Sequence, residues 1–67
     1  MRNYHYYMLD SMYRLIQRPI IVPCASDRAA INEATRALRR DVVEVWDYDR
    51  FVARLEPETG GEARLIH

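Results

Sequence analysis

One cysteine and two histidines are the residues of this 67-residue chain best suited to nucleophilic chemistry. Cys24 comes just before a predicted helix, where a thiol can become reactive because the helix N-terminus favours its anion. A catalytic thiol also needs a base within reach, and His5 lies in a separate predicted strand with no third group in view. We therefore interpret Cys24 as a small buried residue at a strand-to-helix junction.

Carboxylates supply the second possible chemistry. Asp47 and Asp49 flank Tyr48 between two predicted strands, and together they could chelate a cation weakly. Asp is also a usual turn residue, because its side chain bonds to nearby backbone groups. Paired carboxylates do acid–base chemistry in a cleft, for which a monomer of this size has little room. We interpret both as turn residues and predict no catalytic, cofactor-binding or metal-binding residue.

Arginines give the third possibility, a nucleic-acid interface. Arg28, Arg36 and Arg39 share the polar face of the predicted helix, and nearby tyrosines could stack on bases. The ten arginines and ten acidic residues give a net charge of zero, however, and no lysine is present. The charges are unevenly placed, with arginines in excess in residues 1–40 and acids in excess in residues 41–67. Nucleic-acid binding is the alternative function and not the favoured one.

The helix is the element that the sequence predicts most clearly. Ser26 or Asp27 can cap its N-terminus, and two arginines, Arg39 and Arg40, suit the negative end of its dipole. Its apolar positions fall on one stripe, at Ala30, Ile31, Ala34, Ala37 and Leu38. Small alanines on that stripe predict close packing of the helix on a sheet.

Four strands surround this helix in the predicted order. Residues 3–9 and 14–22 read as strands before it, and residues 42–47 and 50–56 as a hairpin after it, joined by Tyr48-Asp49. The fold class is therefore α+β, in the order β-β-α-β-β, with a small antiparallel sheet and one helix packed on one face. We predict a single domain over residues 1–56 and a flexible C-terminal tail over residues 57–67.

One short helix covers one face of such a sheet and leaves the other apolar. With a two-residue turn, Val43, Val45 and Val52 lie on the helix side. The opposite face then carries Val42, Ala53 and the candidate interface residues, which are Tyr7, Leu9, Trp46, Phe51 and Leu55. Exposed apolar patches rich in aromatic residues are typical of interfaces. Pairing of edge strands is a second route to association.

The size of the chain favours the same conclusion. A domain this small usually needs a disulfide, a metal or a partner chain. A single cysteine permits no internal disulfide, and no Cys/His ligand pattern is present. We predict a homodimeric structural or protein-interaction module without catalytic activity, with a further protein partner possible. The sequence has neither a membrane-length apolar run nor the apolar core of a signal peptide, so we predict a cytoplasmic location.

Three motifs resemble those of a family of very short, uncharacterised proteobacterial proteins. They are Tyr4-x-Tyr6-Tyr7-x-Leu9-Asp10, Cys24-x-x-Asp27-x-x-Ala30 and Val43-Glu44-Val45-Trp46-Asp47-x-x-Arg50-x-Val52-Ala53-Arg54-Leu55. The resemblance spans about residues 3–56 and implies a β-β-α-β-β domain from the bacterial cytoplasm, with no activity and no catalytic residues.

The chain departs from that family at both turns. Met12-Tyr13 and Tyr48 stand where the family usually or often has glycine, and Phe51 stands where it is often polar. We therefore expect Met12, Tyr13 and Tyr48 to be exposed.

Overall fold

The computed structural model describes residues 1–37, 41–57 and 63–66. These residues form five strands and one helix: β1 (Arg2–Leu9), β2 (Ile20–Cys24), α1 (Asp27–Ala37), β3 (Val42–Asp47), β4 (Arg50–Pro57) and β5 (Ala63–Ile66). The strands make one antiparallel sheet in the order β2-β1-β3-β4-β5. The predicted α+β class and the order β-β-α-β-β are confirmed by the first four strands and the helix.

The C-terminal segment differs from the prediction. Residues 57–67 were expected to form a flexible tail, but Pro57 ends β4 and residues 63–66 form β5 against it. Leu65 pairs with Leu55, so the apolar residues beyond the glycines find a partner strand. Residues 58–62 and His67 of the predicted tail lie outside the described residues, as do Leu38, Arg39 and Arg40 of the predicted helix.

The second strand begins later than predicted. It starts at Ile20 instead of residue 14, because the chain turns back after β1. The Asp10 carboxylate accepts hydrogen bonds from the N–H groups of Met12 and Arg14 at 2.8 and 2.9 Å, which closes the turn. An isolated bridge then pairs Leu15 with Leu9. We call residues 10–19, between β1 and β2, the β1–β2 loop.

Helix α1 begins with a side-chain cap. The Ser26 Oγ accepts a hydrogen bond of 3.1 Å from the N–H of Ala29, as the cap prediction allows. Ala30 and Ala34 are fully buried, so the helix lies close to the sheet. The phenol of Tyr6 donates a 2.7 Å hydrogen bond to the Ala30 carbonyl, which ties β1 to the first turns of the helix.

The core lies between α1 and one face of the sheet. The predicted valines Val43, Val45 and Val52 are all part of it. Its other buried members are Tyr4, Tyr6, Cys24, Ala30, Ala34, Ala53 and Leu55. Burying an aliphatic or aromatic side chain of this size stabilises the fold by about 1.5–3 kcal/mol, so this layer supplies most of the hydrophobic stabilisation.

A β-bulge in the hairpin corrects the predicted faces. Val45 pairs with Ala53, but the next residue, Trp46, pairs with Phe51, so Val52 has no residue opposite it. The extra residue reverses the alternation of β4. Ala53 and Leu55 therefore face the helix, and their predicted placement beside Trp46 is wrong.

Candidate functional site

The face of the sheet opposite α1 carries a group of contacting rings. We call it the aromatic face, and its rings are His5, Tyr7, Trp46, Tyr48 and Phe51. Trp46 is at the centre, with edge-to-face contacts to Phe51 at 5.5 Å and to Tyr7 at 6.3 Å between ring centroids. Such offset pairs stabilise each other beyond the area they bury. These contacts fix the positions of the rings, which together form a broad apolar surface.

The sheet register extends this surface across four strands. Ile21 on β2 pairs with His5, His5 with Trp46, and Trp46 with Phe51. Partners directly opposite in antiparallel strands point to the same side, so the four residues form one apolar row. The outer members Ile21 and Phe51 are exposed. The row therefore reaches from the β2 edge to β4 without a charged side chain.

An ion pair adjoins the row and orients the indole. Glu44 accepts a 3.0 Å hydrogen bond from Trp46 Nε1 and two more, at 3.0 and 3.1 Å, from the Arg54 guanidinium. Both charged side chains are largely shielded. Arg54 also lies 3.9 Å from Glu56, so one guanidinium is shared between two carboxylates at this side of the aromatic face.

The β1–β2 loop covers one end of this face. Tyr13 reaches over to β4, where its phenol donates to Glu56 at 2.8 Å and its ring lies 4.9 Å from the Arg54 guanidinium carbon. In the same loop, Leu15 forms an isolated β-bridge with Leu9. A groove of about 330 Å³ remains between loop and sheet, lined by Tyr7, Leu9, Tyr13, Leu15, Glu44 and Trp46.

The candidate interface residues divide into three cases. Tyr7, Trp46 and Phe51 share the aromatic face as predicted. Leu9 lies on the same face but is buried at the loop-covered end. Leu55 is 2% exposed in the core on the opposite side, so its assignment to this surface is wrong. The bulge at Val52 is the reason.

Two residues that line the aromatic face or its groove, Ile21 and Leu15, were not assigned there from the sequence. Ile21 was placed in a strand but not assigned to a face, because residues 20–23, Ile-Ile-Val-Pro, show no alternation of apolar and polar residues. Leu15 was expected inside a strand, and only the turn at Asp10 places it beside Leu9. Met12, Tyr13 and Tyr48 are exposed as expected, and the two tyrosines have positive φ angles of 61° and 59°.

The residues considered for catalysis do not come together. Cys24 is buried on the helix side of the sheet, as interpreted from the sequence, whereas His5 lies on the aromatic face. Asp47 is bound by Arg2 and Arg50, both at 3.0 Å, and Asp49 is exposed in the turn. Within residues 1–37, 41–57 and 63–66, no group of three His, Cys, Asp or Glu side chains is placed to hold a metal ion.

The predicted basic face is only partly described. Arg28 and Arg36 are both exposed on α1, and Arg36 forms an ion pair of 3.2 Å with Glu33. Arg39 lies outside the described residues. Two arginines, one of them paired, make a small cationic surface.

None of the protein families, curated proteins or solved structures compared with this chain matches it. The resemblance to short proteobacterial proteins therefore stays a prediction. In the part of the chain that the structure describes, no helix has the length and apolar character needed to cross a membrane.

Proposed function

We propose that this chain is a protein-interaction module that works as a homodimer, joined through the aromatic face. The observation that carries the proposal is the contact of Tyr7, Trp46 and Phe51 on a sheet face that α1 does not cover. Aromatic residues with a polar handle are enriched in the cores of interfaces. The module acts by contact and not by catalysis, and we place it in the cytoplasm.

The dimensions of the chain suit such an interface. It measures 33 × 21 × 17 Å. Its broad face has a projected area of about 700 Å², close to the ~800 Å² that each partner buries in a standard interface. Covering the aromatic face would therefore involve nearly the whole of that side of the sheet.

Charge favours a second copy as the occupant. The charged residues on this side of the sheet are bound within one chain, Glu44 to Arg54 and Glu56 to Tyr13 and, at 3.9 Å, to Arg54. Two identical faces can therefore meet with each carboxylate already bound to a group of its own chain, which limits like-charge repulsion across a two-fold symmetric interface.

The test is the solution mass of the full chain by sedimentation equilibrium between about 10 and 100 µM. We expect twice the chain mass of 8.0 kDa. Phe51→Ser should weaken association by about tenfold or more, because it places a hydroxyl where an aromatic anchor packs. The matched control is Leu65→Ser, since Leu65 is similarly exposed (43% against 37%) on the neighbouring strand but faces α1.

The outcomes separate clearly. A wild-type mass of 8.0 kDa across that range overturns the proposal. Equal weakening by both serine variants places the interface elsewhere. Trp46 gives an independent measurement, because it is the only tryptophan. Its emission should move to longer wavelength on dilution in the wild type, as covered indole becomes hydrated, and this shift should occur at higher protein concentration in Phe51→Ser.

Nucleic-acid binding through Arg28, Arg36 and Arg39 is the alternative function. The exposure of Arg28 and Arg36 supports it, and the Arg36–Glu33 pair weakens it. Salt-dependent retention on heparin that is lost in Arg28→Gln would favour this alternative, whereas no retention at low salt would remove it.

A further inference from the structure

His5 lies near the middle of the apolar row on the aromatic face. Its ring stacks on Tyr7 at 6.5 Å and meets the edge of Tyr48 at 6.3 Å. The Cα partners on either side are Ile21 and Trp46. Its Nδ1 atom is buried and has no hydrogen-bond partner within the described ranges. A neutral imidazole with its proton on Nε2 tolerates this site, because an unprotonated Nδ1 needs no acceptor.

The titratable groups that contact the ring are the phenols of Tyr7 and Tyr48. The carboxylates of the adjacent strand β3 are already bound: Glu44 to Arg54, and Asp47 to Arg2 and Arg50. Asp49, beside Tyr48 in the turn, is exposed. No ion pair to His5 is present among the described residues to offset a positive charge on its ring.

We propose that acid dissociates the homodimer through protonation of His5, an inference that rests on the proposed function. Histidine is the side chain that ordinarily gains its charge between pH 8 and about pH 5. In a single chain the half-exposed ring can be hydrated when charged. Nδ1 is buried already in the single chain, so a second copy on the aromatic face removes the water around the rest of the ring, and this dehydration disfavours the charged imidazole. The dimer therefore binds fewer protons than two separate chains, and falling pH favours the separate chains.

The experiment measures the dimer dissociation constant of the full chain at about pH 8 and about pH 5.5, where ordinary carboxylates are still ionised. The readout is the ratio of the two constants for each protein. This ratio is insensitive to any change in affinity that a variant causes at both pH values. We expect at least about a tenfold weakening for the wild type at the lower pH, to which the two His5 rings of the dimer contribute about threefold each.

The control variants are supplied by the two histidines of the chain, His5 and His67. His5→Gln should reduce the ratio to about twofold or less, because the amide takes up no proton in this range. His67→Gln should keep the full wild-type ratio. This comparison also subtracts the contribution of any other group that binds protons equally in all three proteins.

Each outcome decides between the two proposals. A chain that is monomeric at pH 8 overturns the proposed function and this inference with it. A wild-type dimer with the same dissociation constant at both pH values overturns the inference alone. A pH response that survives in His5→Gln also overturns it, since the proton then binds elsewhere.

A second measurement needs no variant. The imidazole C–H resonances of His5 can be followed by NMR against pH in dilute and concentrated wild-type samples. If association opposes protonation, the midpoint lies at lower pH in the concentrated sample, where dimer predominates. Equal midpoints would contradict the inference even if His5→Gln failed to fold.

Discussion

The phenol of Tyr4 donates a 2.7 Å hydrogen bond to the carboxylate of Asp27, which joins the interior strand β1 to the first residue of α1. The same carboxylate accepts two hydrogen bonds from Arg50, at 2.8 and 3.2 Å. The helix start and the β3–β4 hairpin are thus held at one point. Hydrogen bonds from Arg50 and then from Tyr4 hold the pKa of Asp27 below its ordinary value of 3.8.

Asp27→Asn should lower stability at neutral pH, by no more than about 1 kcal/mol because the Asp27–Arg50 pair is partly exposed. The pKa of Asp27 is lower in the folded chain than in the unfolded chain. Its contribution is therefore present above the unfolded value of 3.8 and is lost as the pH falls through the lower folded value. Urea unfolding at constant protein concentration, near pH 7 and near pH 2.5, checks this.

The control for that measurement is Asp49→Asn, which changes an exposed carboxylate in the hairpin turn. It should have little effect at either pH. A deficit of Asp27→Asn that is equally large at both pH values would contradict the pH argument, because protonation of Asp27 and its replacement by asparagine both leave a neutral side chain.

Alkaline pH should destabilise the fold through its two buried phenols. Burial is the largest cause that raises the pKa of Tyr6 and of Tyr4 above the ordinary 10.0. A group whose folded pKa is raised stabilises the fold below the unfolded pKa, and that contribution is lost as pH rises past it. In an absorbance titration of phenolate, these two of the five tyrosines should ionise together with unfolding.

Tyr6→Phe tests this assignment. It should cost about 1 kcal/mol at neutral pH, because the Ala30 carbonyl loses its 2.7 Å hydrogen bond. It should also make the loss of stability above about pH 10 less steep. Tyr48→Phe, at an exposed tyrosine, is the comparison and should leave the alkaline slope unchanged. The assignment fails if the two variants have the same alkaline slope.

The bulge predicts unequal costs for the same substitution at two leucines. Leu55→Ala should destabilise the fold by about 3 kcal/mol, since it opens a cavity in the core. Leu15→Ala, at a side chain that is 53% exposed, should cost less than about 1 kcal/mol. Chemical denaturation followed by circular dichroism measures both. Equal costs would mean that Leu55 faces the surface, as the simple hairpin register predicts.

The two tyrosines with positive φ should respond differently to glycine. Tyr48→Gly should be stabilising by up to about 1 kcal/mol, because glycine adopts this backbone without steric cost and the side chain that is lost is 79% exposed, with an edge contact to His5. Tyr13→Gly should instead be destabilising, since it removes the hydrogen bond to Glu56 and the contact with Arg54. Melting temperatures of both variants test this pair. A gain in Tyr13→Gly would show that its backbone strain outweighs its contacts.

The elements that sequence periodicity predicts well are those with a local cause. The Ser26 cap and the alanine stripe specify α1, and the alternation in residues 42–47 specifies β3 with the predicted bounds. Trp46 and Phe51 lie close to the hairpin turn, on the near side of the bulge. Their shared face therefore follows from the turn alone.

The errors have a non-local cause. The bulge at Val52 turns Ala53 and Leu55 toward α1, and a period-2 pattern cannot indicate an inserted residue. The end of the aromatic face at Leu9 is covered by the β1–β2 loop, whose Tyr13 contacts Arg54 and Glu56. These two residues lie about 40 positions further along the chain. The fold class was predictable from the sequence. The β1–β2 loop over one end of the aromatic face and the inward orientation of Leu55 were not.

The unpaired Val52 makes the length of β4 as important as its composition. On the turn side of this residue the strand presents Phe51 outward, and on the other side it presents Arg54 outward and Leu55 inward. Loss of a single codon at this point would remove the bulge and leave a regular hairpin, with Arg54 still outward and Leu55 still inward. Gain of a codon would instead exchange inside and outside for the rest of the strand and place Arg54 under the helix. The hairpin should therefore accept the loss of a residue here during evolution far more readily than the gain of one.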